Sequence, residues 1–310
     1  MNERDVREGG SWTALQRTKN TGIWLLASIA LAAVRPLPPA VLRAIGRGLG
    51  LAAHRLAGRA RRTALDNVTL ALPHLDDHER RDLVVRCFAT LGILLGETVA
   101  MMRAGAVDPL PLAPGALATF EGARSEGRGV LFVSAHLGPW ERVAASIVAA
   151  GIPLVTIARE SYDPRLSRIY ERLRGGHGVD VIWRSRPGAS ARILRALRGG
   201  RVLGVPMDLR SRVPSCDAPF LGHAAPTPVG PARIALRARC PVLVGTAAPD
   251  ATGALHVTVS PIDTTDLEAD GRGPIELTRR INLELSSRIL ALPHAWVWMH
   301  ERWPRLAEHG

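Results

Sequence analysis

Lysine is almost absent from this sequence, although the chain is strongly basic. Lys19 is the only lysine among 40 basic side chains, against 28 acidic ones, so arginine supplies nearly all of the net charge of +12. Arginine stays protonated and binds phosphate with two hydrogen bonds. The charge therefore favours anionic partners, such as lipid headgroups, the phosphates of coenzyme A or an acidic carrier protein.

Aromatic residues are scarce as well, and this argues against a nucleic-acid partner. They make up 4% of the chain, with two tyrosines and four phenylalanines available for stacking on bases. The arginines are scattered along the chain, and no helix-turn-helix or zinc-finger spacing is present. We therefore expect no nucleic acid among the partners.

Cysteine is rare, and the motifs of metal sites and serine hydrolases are missing. The three cysteines, Cys87, Cys216 and Cys240, are odd in number and widely spaced, which argues against a disulfide framework and for a reducing compartment. No C-x-x-C or H-E-x-x-H occurs, so the sequence predicts no metal and no resident cofactor. No G-x-S-x-G elbow occurs either, which disfavours an α/β serine hydrolase.

The apolar run near the N-terminus is too short to span a bilayer. Residues 21–34 are 14 uncharged residues between Lys19 and Arg35, whereas a spanning helix needs about 20. We expect a helix that lies in or dips into the cytoplasmic leaflet; packing in the core and a cleaved signal peptide are the alternatives. A second helix over 41–57 carries arginines on one face, typical of helices at anionic interfaces, although a solvated surface would look the same.

The pattern of apolar segments predicts an α/β fold, with a mostly parallel sheet flanked by helices and an N-terminal helical membrane-associating segment. We divide the chain into a poorly ordered tail (1–20), a membrane-associated helical segment (21–60) and an α/β domain (61–310). Two more helices are expected at 61–72 and 78–102, and the sheet is expected to start near Phe120. Alternating strands and helices then imply parallel βαβ units. The predicted strands are 130–135, 153–158, 179–183, 201–206, 241–247 and 254–260, and the predicted helices are 140–150, 164–174, 188–198, 228–239 and 273–291.

A histidine stands where the first of these apolar strands ends. His136 follows the run Val130–Val133, Gly138 and Pro139 break the strand, and Glu141 falls in the first turn of the next helix, where negative charge is favoured. A neutral imidazole can take a proton from a hydroxyl while a carboxylate fixes its tautomer. The spacing predicts that His136 is a general base oriented by Glu141. The nucleophile could then belong to the substrate.

Four segments of the sequence carry a family resemblance. The box His136-Leu-Gly-Pro-Trp-Glu141 resembles the H-x4-D/E motif of the lysophospholipid acyltransferase superfamily. More narrowly it is similar to that of the late acyltransferases of lipid A biosynthesis and the related enzymes that acylate phosphatidylinositol mannosides. The other three segments match in the same order: Arg61-Arg62-Thr-Ala-Leu-Asp-Asn67, the run from Pro219 to Gly230, and Trp296-Val-Trp298-Met-His300-Glu-Arg302-Trp303.

The resemblance implies an O-acyltransferase at the cytoplasmic face of the inner membrane, and we expect it to be a monomer. The donor would be acyl-CoA or acyl-carrier protein and the acceptor a membrane glycolipid, either a lipid A precursor or a phosphatidylinositol mannoside. Arg159 would steady the oxyanion or a substrate phosphate. Asp208 matches an acidic position that lines the acceptor pocket, or it is itself the partner of His136.

Several residues of these segments leave more than one interpretation open. Arg210 beside Asp208 would bind phosphate or be solvated, and Thr227 would cap the following helix or be purely structural. Trp296 and Trp298 are expected on a final strand, as core or as the floor of an acyl channel, and His300 is expected to be structural. A thioesterase or hydrolase, or a non-catalytic lipid-binding membrane protein, are the competing functions.

Overall fold

The computed structural model describes residues 11–303; residues 1–10 and 304–310 lie outside the described residues, and so does the first half of the predicted tail. Helix α1 runs over Ala14–Val34 and so begins within the second half of that predicted tail. Thr13 and Gln16 form a reciprocal capping box that satisfies the first free backbone N–H groups of the helix. The local capping residues therefore start the helix ahead of the apolar run.

Three helices follow α1 and form the N-terminal layer. They are α2 (Pro39–Leu56), α3 (Gly58–Ala71) and α4 (Asp77–Met101). Glycines allow α2 and α4 to pack backbone against backbone: a Cβ placed on Gly46 would lie 2.1 Å from the carbonyl oxygen of Gly92. The outward face of α2 keeps apolar side chains exposed, including Val41 and Leu49.

One helix of the described part of the chain, α4, is long and apolar enough to cross a membrane by length and composition. In the segment that passes this test, 44% is buried inside the protein. Leu83, Val84 and Cys87 lie in the main core, as predicted from their helical spacing. Because core helices pass the same test, α4 by itself gives weak support for a membrane span.

A short helix, α5 (Ala116–Ser125), leads into the α/β layer. Phe120 lies on α5, so the prediction that the sheet starts near Phe120 is wrong. Its side chain is fully buried against Phe132 of the sheet, which explains the strand-like apolar character of this segment. The strands are β1 (Val130–Ser134), β2 (Leu154–Ala158), β3 (Asp180–Trp183), β4 (Val202–Pro206), β5 (Ser215–Phe220), β6 (His223–Pro228), β7 (Val242–Pro249) and β8 (Leu255–Ile262).

Six of these strands form one sheet in the order β3-β2-β4-β1-β7-β8. All neighbours are parallel except β7 and β8, which confirms the predicted fold class. Both faces are covered, because alternate residues of β1 enter different cores, Leu131 on one side and Phe132 on the other. The remaining helices are α6 (Trp140–Ala149), α7 (Pro164–Gly175), α8 (Ala189–Arg198), α9 (Gly230–Ala238) and α10 (Gly273–Ala291).

Two parts of the chain differ from the predicted segments. Strands β5 and β6 form a separate antiparallel hairpin, which was not predicted. The segment of Trp296 and Trp298 is not a strand. It follows a 3-10 turn at Pro293–Ala295, and its β-type pairing is an isolated bridge between Trp296 and Leu137. Both indoles are nevertheless fully buried, so their prediction as core residues is confirmed.

Candidate active site

His136 lies at the carboxyl end of β1, the buried strand at the centre of the sheet. The chain reverses immediately after it at Gly138, whose φ of +60° lies in the left-handed region that glycine adopts without strain. The N–H of Gly138 donates to the carbonyl of Ala295 at 3.0 Å, which ties the turn to the C-terminal segment. Helix α6 then starts at Trp140, so that Glu141 falls in its first turn as predicted.

Asp208 lies beside His136 because of the register of two neighbouring parallel strands. Ser134 of β1 pairs with Pro206 of β4, and His136 and Asp208 each follow two residues after this pair, just beyond the ends of the two strands. Oδ1 of Asp208 lies 3.0 Å from Nδ1 of His136, and Oδ2 accepts the backbone N–H of His136 at 2.8 Å. Two contacts from one carboxylate fix both the backbone and the ring of the histidine.

This contact sets the tautomer of the imidazole. An ionised carboxylate can only accept hydrogen bonds, so Nδ1 carries the proton and Nε2 keeps a free lone pair in the neutral ring. The His136 side chain is 29% exposed, whereas Asp208 is fully buried. The arrangement can therefore present a base to a bound substrate while its acidic partner is shielded from water.

The remaining lone-pair positions of Asp208 are also used. The indole N–H of Trp296 donates to Oδ2 at 2.8 Å. Burial by itself raises the pKa of Asp208, but the charge of His136 and the hydrogen bonds from His136 and Trp296 outweigh it and hold the pKa below its ordinary value. Asp208 is therefore ionised at neutral pH.

The pKa of His136 moves in the opposite direction. Burial lowers it, but the negative charge and hydrogen bond of Asp208, with a further contribution from Glu141, raise it above 6.5, while Arg174 opposes them. His136 is thus more basic than a histidine in water. A more basic nitrogen is a stronger proton acceptor.

The predicted hydrogen bond between His136 and Glu141 is not among the hydrogen bonds of the described residues, which corrects the expected pairing. Both oxygens of Glu141 accept from Arg174 of α7, at 2.6 and 2.9 Å. The first turn of α6 directs the carboxylate toward α7, and Asp208, the predicted alternative, occupies the position against Nδ1. Glu141 acts on His136 only through its charge.

The other predicted site residues divide into exposed and buried ones. Arg159 follows β2 and Arg210 follows β4, both exposed at the carboxyl edge of the sheet. Thr227 is fully buried on β6 and does not cap α9, which has no side-chain cap. Its hydroxyl donates to Ala225 and accepts from Asn282 and Arg302, so it links the hairpin to α10 and the C-terminal segment.

Two of the four segments that carried the resemblance contact Asp208 directly, through His136 and Trp296, and a third supports them. The side-chain amide of Asn67 on α3 donates to the carbonyls of Trp298 and His300, both at 2.8 Å. These two hydrogen bonds fix the C-terminal segment, in which Trp296 contacts Asp208. Residues far apart in sequence therefore build one support for the His136 ring.

Two cavities lined by described residues lie away from this centre. One of about 560 Å³ lies along residues 109–117 and α6, and one of about 340 Å³ lies between α8 and strands β2 and β3. Neither is lined by His136 or Asp208. The predicted acyl channel above Trp296 and Trp298 therefore stays a prediction.

Two residues of the site were missed from the sequence. Arg174 lies inside an arginine-rich helix and has no local motif that distinguishes it from its neighbours. Arg302 was quoted within the final motif, but nothing in its spacing shows that it is fully buried. For residues 11–303, no group of three or more His, Cys, Asp or Glu side chains has the arrangement of a metal site.

Comparison with protein families gives one match. The sequence model described as bacterial lipid A biosynthesis acyltransferase matches residues 10–305, nearly the whole chain. A search of curated protein sequences found no match.

Proposed function

Because the chain belongs to the family of bacterial lipid A biosynthesis acyltransferases, we propose that it moves a fatty acyl chain from a thioester to a hydroxyl of a membrane glycolipid. The family membership confirms the predicted enzyme class, an acyltransferase of lipid biosynthesis. The donor is acyl-CoA or acyl-carrier protein, and the acceptor is a lipid A precursor or a phosphatidylinositol mannoside.

One observation carries the proposed mechanism: Asp208 holds the proton of His136 on Nδ1, which leaves Nε2 as the base. Nε2 takes the proton of the acceptor hydroxyl as its oxygen attacks the carbonyl carbon of the thioester. The carbon–sulfur bond then breaks, and the thiol leaves with the proton from the imidazolium. The nucleophile belongs to the substrate, so no covalent enzyme intermediate forms.

Donors and cations near His136 support two further roles, stabilisation of the oxyanion and binding of a substrate phosphate. Negative charge develops on the carbonyl oxygen during attack, and fixed donors or cations stabilise it. We assign this role to the backbone N–H groups at the start of α6 and to Arg159 or Arg174. Arg210 is exposed at the same edge and would bind a substrate phosphate, whereas buried Thr227 has a supporting role.

The N-terminal helices provide a surface for the membrane. On α1, Leu26 is 71% and Ile29 66% exposed, and α2 adds Val41 and Leu49 to the exposed apolar side chains. Arg43 and Arg47 on α2 supply positive charge for anionic headgroups. We propose peripheral attachment through α1 and α2 at the cytoplasmic face of the membrane.

The direct experiment is acyl transfer by purified enzyme in mixed micelles. Acyl-CoA and acyl-carrier protein are each offered with a lipid A precursor or a phosphatidylinositol mannoside, and mass spectrometry follows the acceptor. A gain of one acyl chain, with release of one thiol, is expected for one donor–acceptor pair. Thiol release with free fatty acid and no acylated lipid would instead identify a thioesterase.

A further inference from the structure

The C-terminal segment buries an arginine without a carboxylate of its own. Arg302 is fully buried, and no ion pair joins it to any of residues 11–303. Its guanidinium donates to the carbonyl of Pro226 and to Oγ1 of Thr227, both at 2.7 Å, and lies 4.4 Å from the ring centroid of Phe220. Burial lowers the pKa of Arg302 to about 10, which leaves it charged at neutral pH.

Aromatic side chains connect this cation to the centre of the site. The ring of Phe220 lies 5.5 Å from the indole of Trp296, and that indole donates to Asp208. The charge of Asp208 acts on Arg302 although the two are not in contact. A fully buried cation and a fully buried anion are thus linked through two aromatic rings, where little water screens them.

Other charged groups also act on the His136 ring. Asp208, from the loop after β4, and Glu141, on α6, favour the protonated imidazole, and Arg174, on α7, opposes it. His300 interacts with Asp208, His136 and Arg302, and burial lowers its pKa, so it adds little positive charge near neutral pH. Two carboxylates against Arg174 alone would leave an excess of negative charge beside His136.

We propose that Arg302 is a positioning residue for the acyl-transfer site, which holds the Asp208 carboxylate in place through Phe220 and Trp296 and whose buried charge partly offsets that of Asp208 beside His136. This inference rests on the proposed function, in which the neutral ring is the base. Arg302 also holds Pro226 and Thr227 of the hairpin, and stacks on the ring that packs against Trp296. It therefore acts on both the charge and the placement of the Asp208 carboxylate.

The sign of the effect follows from electrostatics. Removing a positive charge makes protonation of a nearby imidazole more favourable, so the pKa of His136 rises when residue 302 becomes neutral. We expect a shift of roughly 0.5–1 unit for a buried unit charge that is not in direct contact. Below the midpoint this lowers kcat/KM about 3- to 10-fold, while at high pH the rate recovers.

The experiment compares Arg302→Gln and Arg302→Met with Arg302→Lys, which keeps the charge. Histidine NMR titration reads the midpoint of His136 directly, with the His136→Asn spectrum assigning the signal, and the pH profile of kcat/KM is measured in parallel. Both neutral variants should move the midpoint upward, and the lysine variant should stay near wild type. Arg198→Gln, which removes an exposed arginine on α8, is the matched control and should leave the midpoint unchanged.

A wild-type measurement covers the case in which the neutral variants do not fold. Exposed charges are screened by salt, whereas buried charges are screened much less, so the His136 midpoint should move by less than about 0.2 unit between 0.05 and 0.5 M salt. A larger salt-dependent shift would assign the field to the surface arginines and overturn the proposal. So would a folded Arg302→Gln variant with the wild-type midpoint. The NMR readout needs no turnover, so an active His136→Ala enzyme would refute only the proposed function.

Discussion

Asp208 contacts His136 twice, through the backbone N–H at 2.8 Å and through Nδ1 of the ring at 3.0 Å. The paired contacts place the imidazole at the end of β1 with one tautomer and one orientation. The buried carboxylate receives a further hydrogen bond from Trp296. The pair has the geometry of a base and its orienting acid, and we derive the first prediction from it.

Replacing Asp208 with asparagine removes the charge that stabilises the imidazolium. The amide oxygen can still accept from the His136 N–H and from Trp296, so folding should be preserved. The amide NH2 can only donate to Nδ1, which moves the ring proton to Nε2, so kcat/KM should fall by about 10²- to 10⁴-fold. Steady-state acyl transfer and thermal unfolding of Asp208→Asn measure both quantities. Wild-type activity in a folded Asp208→Asn enzyme would show that Asp208 is not the orienting group.

The pH dependence follows from the raised pKa of His136. Since the free ring titrates near 6.5 and the charges of the site move the folded pKa upward, the fall in kcat/KM on acidification should begin above pH 6.5. Asp208→Asn removes the main group that raises the pKa, so its acidic limb should move to lower pH. The pH profiles of the wild type and the variant check this. If the acidic limb does not move, it is not produced by the titration of His136.

Glu141 should matter first for stability. Glutamine at this position leaves Arg174, whose side chain is only 18% exposed, without its carboxylate. We expect the free energy of unfolding to fall by about 2–3 kcal/mol, at the lower edge of the range for a broken buried pair because Arg174 is partly exposed. Denaturant unfolding of Glu141→Gln measures the loss.

A second glutamate offers a control for this experiment. Glu276, on α10, accepts from Arg279 with the same bidentate geometry and also from Arg280, and its side chain is more exposed than that of Glu141, 32% against 8%. Its replacement by glutamine should change the stability far less, because surface pairs contribute little. Equal losses in the two variants would show that burial of the Glu141–Arg174 pair is not what makes it important.

The packing of α2 on α4 gives a prediction with a control on the same helix. A Cβ at position 46 would overlap the carbonyl oxygen of Gly92, whereas a Cβ at Gly48 meets nothing within 4 Å. We expect Gly46→Ala to lower the free energy of unfolding by about 3 kcal/mol or more, and Gly48→Ala to raise it by up to about 1 kcal/mol. Matching effects in a denaturant titration would rule out the close helix contact.

The parallel sheet and the position of His136 could be predicted from the sequence. Strands buried on both faces read as continuous apolar runs, and the run before His136 is unbroken. Parallel strands also gather their carboxyl ends at one edge, where sites form. These rules depend only on local composition and chain direction, so a single sequence is enough to apply them.

The partner of His136 could not be fixed in the same way. Sequence proximity favours Glu141, five residues away, whereas the contact observed joins residues separated by 72 positions. It exists because β4 is the neighbour of β1 in the sheet. The order of strands in a sheet cannot be predicted from the sequence of a single segment. The direction of the Glu141 side chain likewise depends on Arg174, from a different helix.

The hairpin of β5 and β6 was missed for a local reason. Prolines at 219, 226 and 228 remove ladder donors and disfavour strands. The turn also places Leu221 at a φ of 49° beside Gly222 at 83°, and a leucine gives no signal for that conformation. Tertiary contacts, such as those of Arg302 with Pro226 and Thr227, stabilise a hairpin that the local sequence does not favour.

Acyl transfer by purified His136→Ala, with its unfolding transition recorded beside that of the wild type, tests the central claim most directly. If Nε2 removes the proton of the acceptor hydroxyl, the variant should fold normally and lose at least about 10²-fold in kcat/KM. A folded His136→Ala enzyme that acylates its lipid at the wild-type rate would contradict the account.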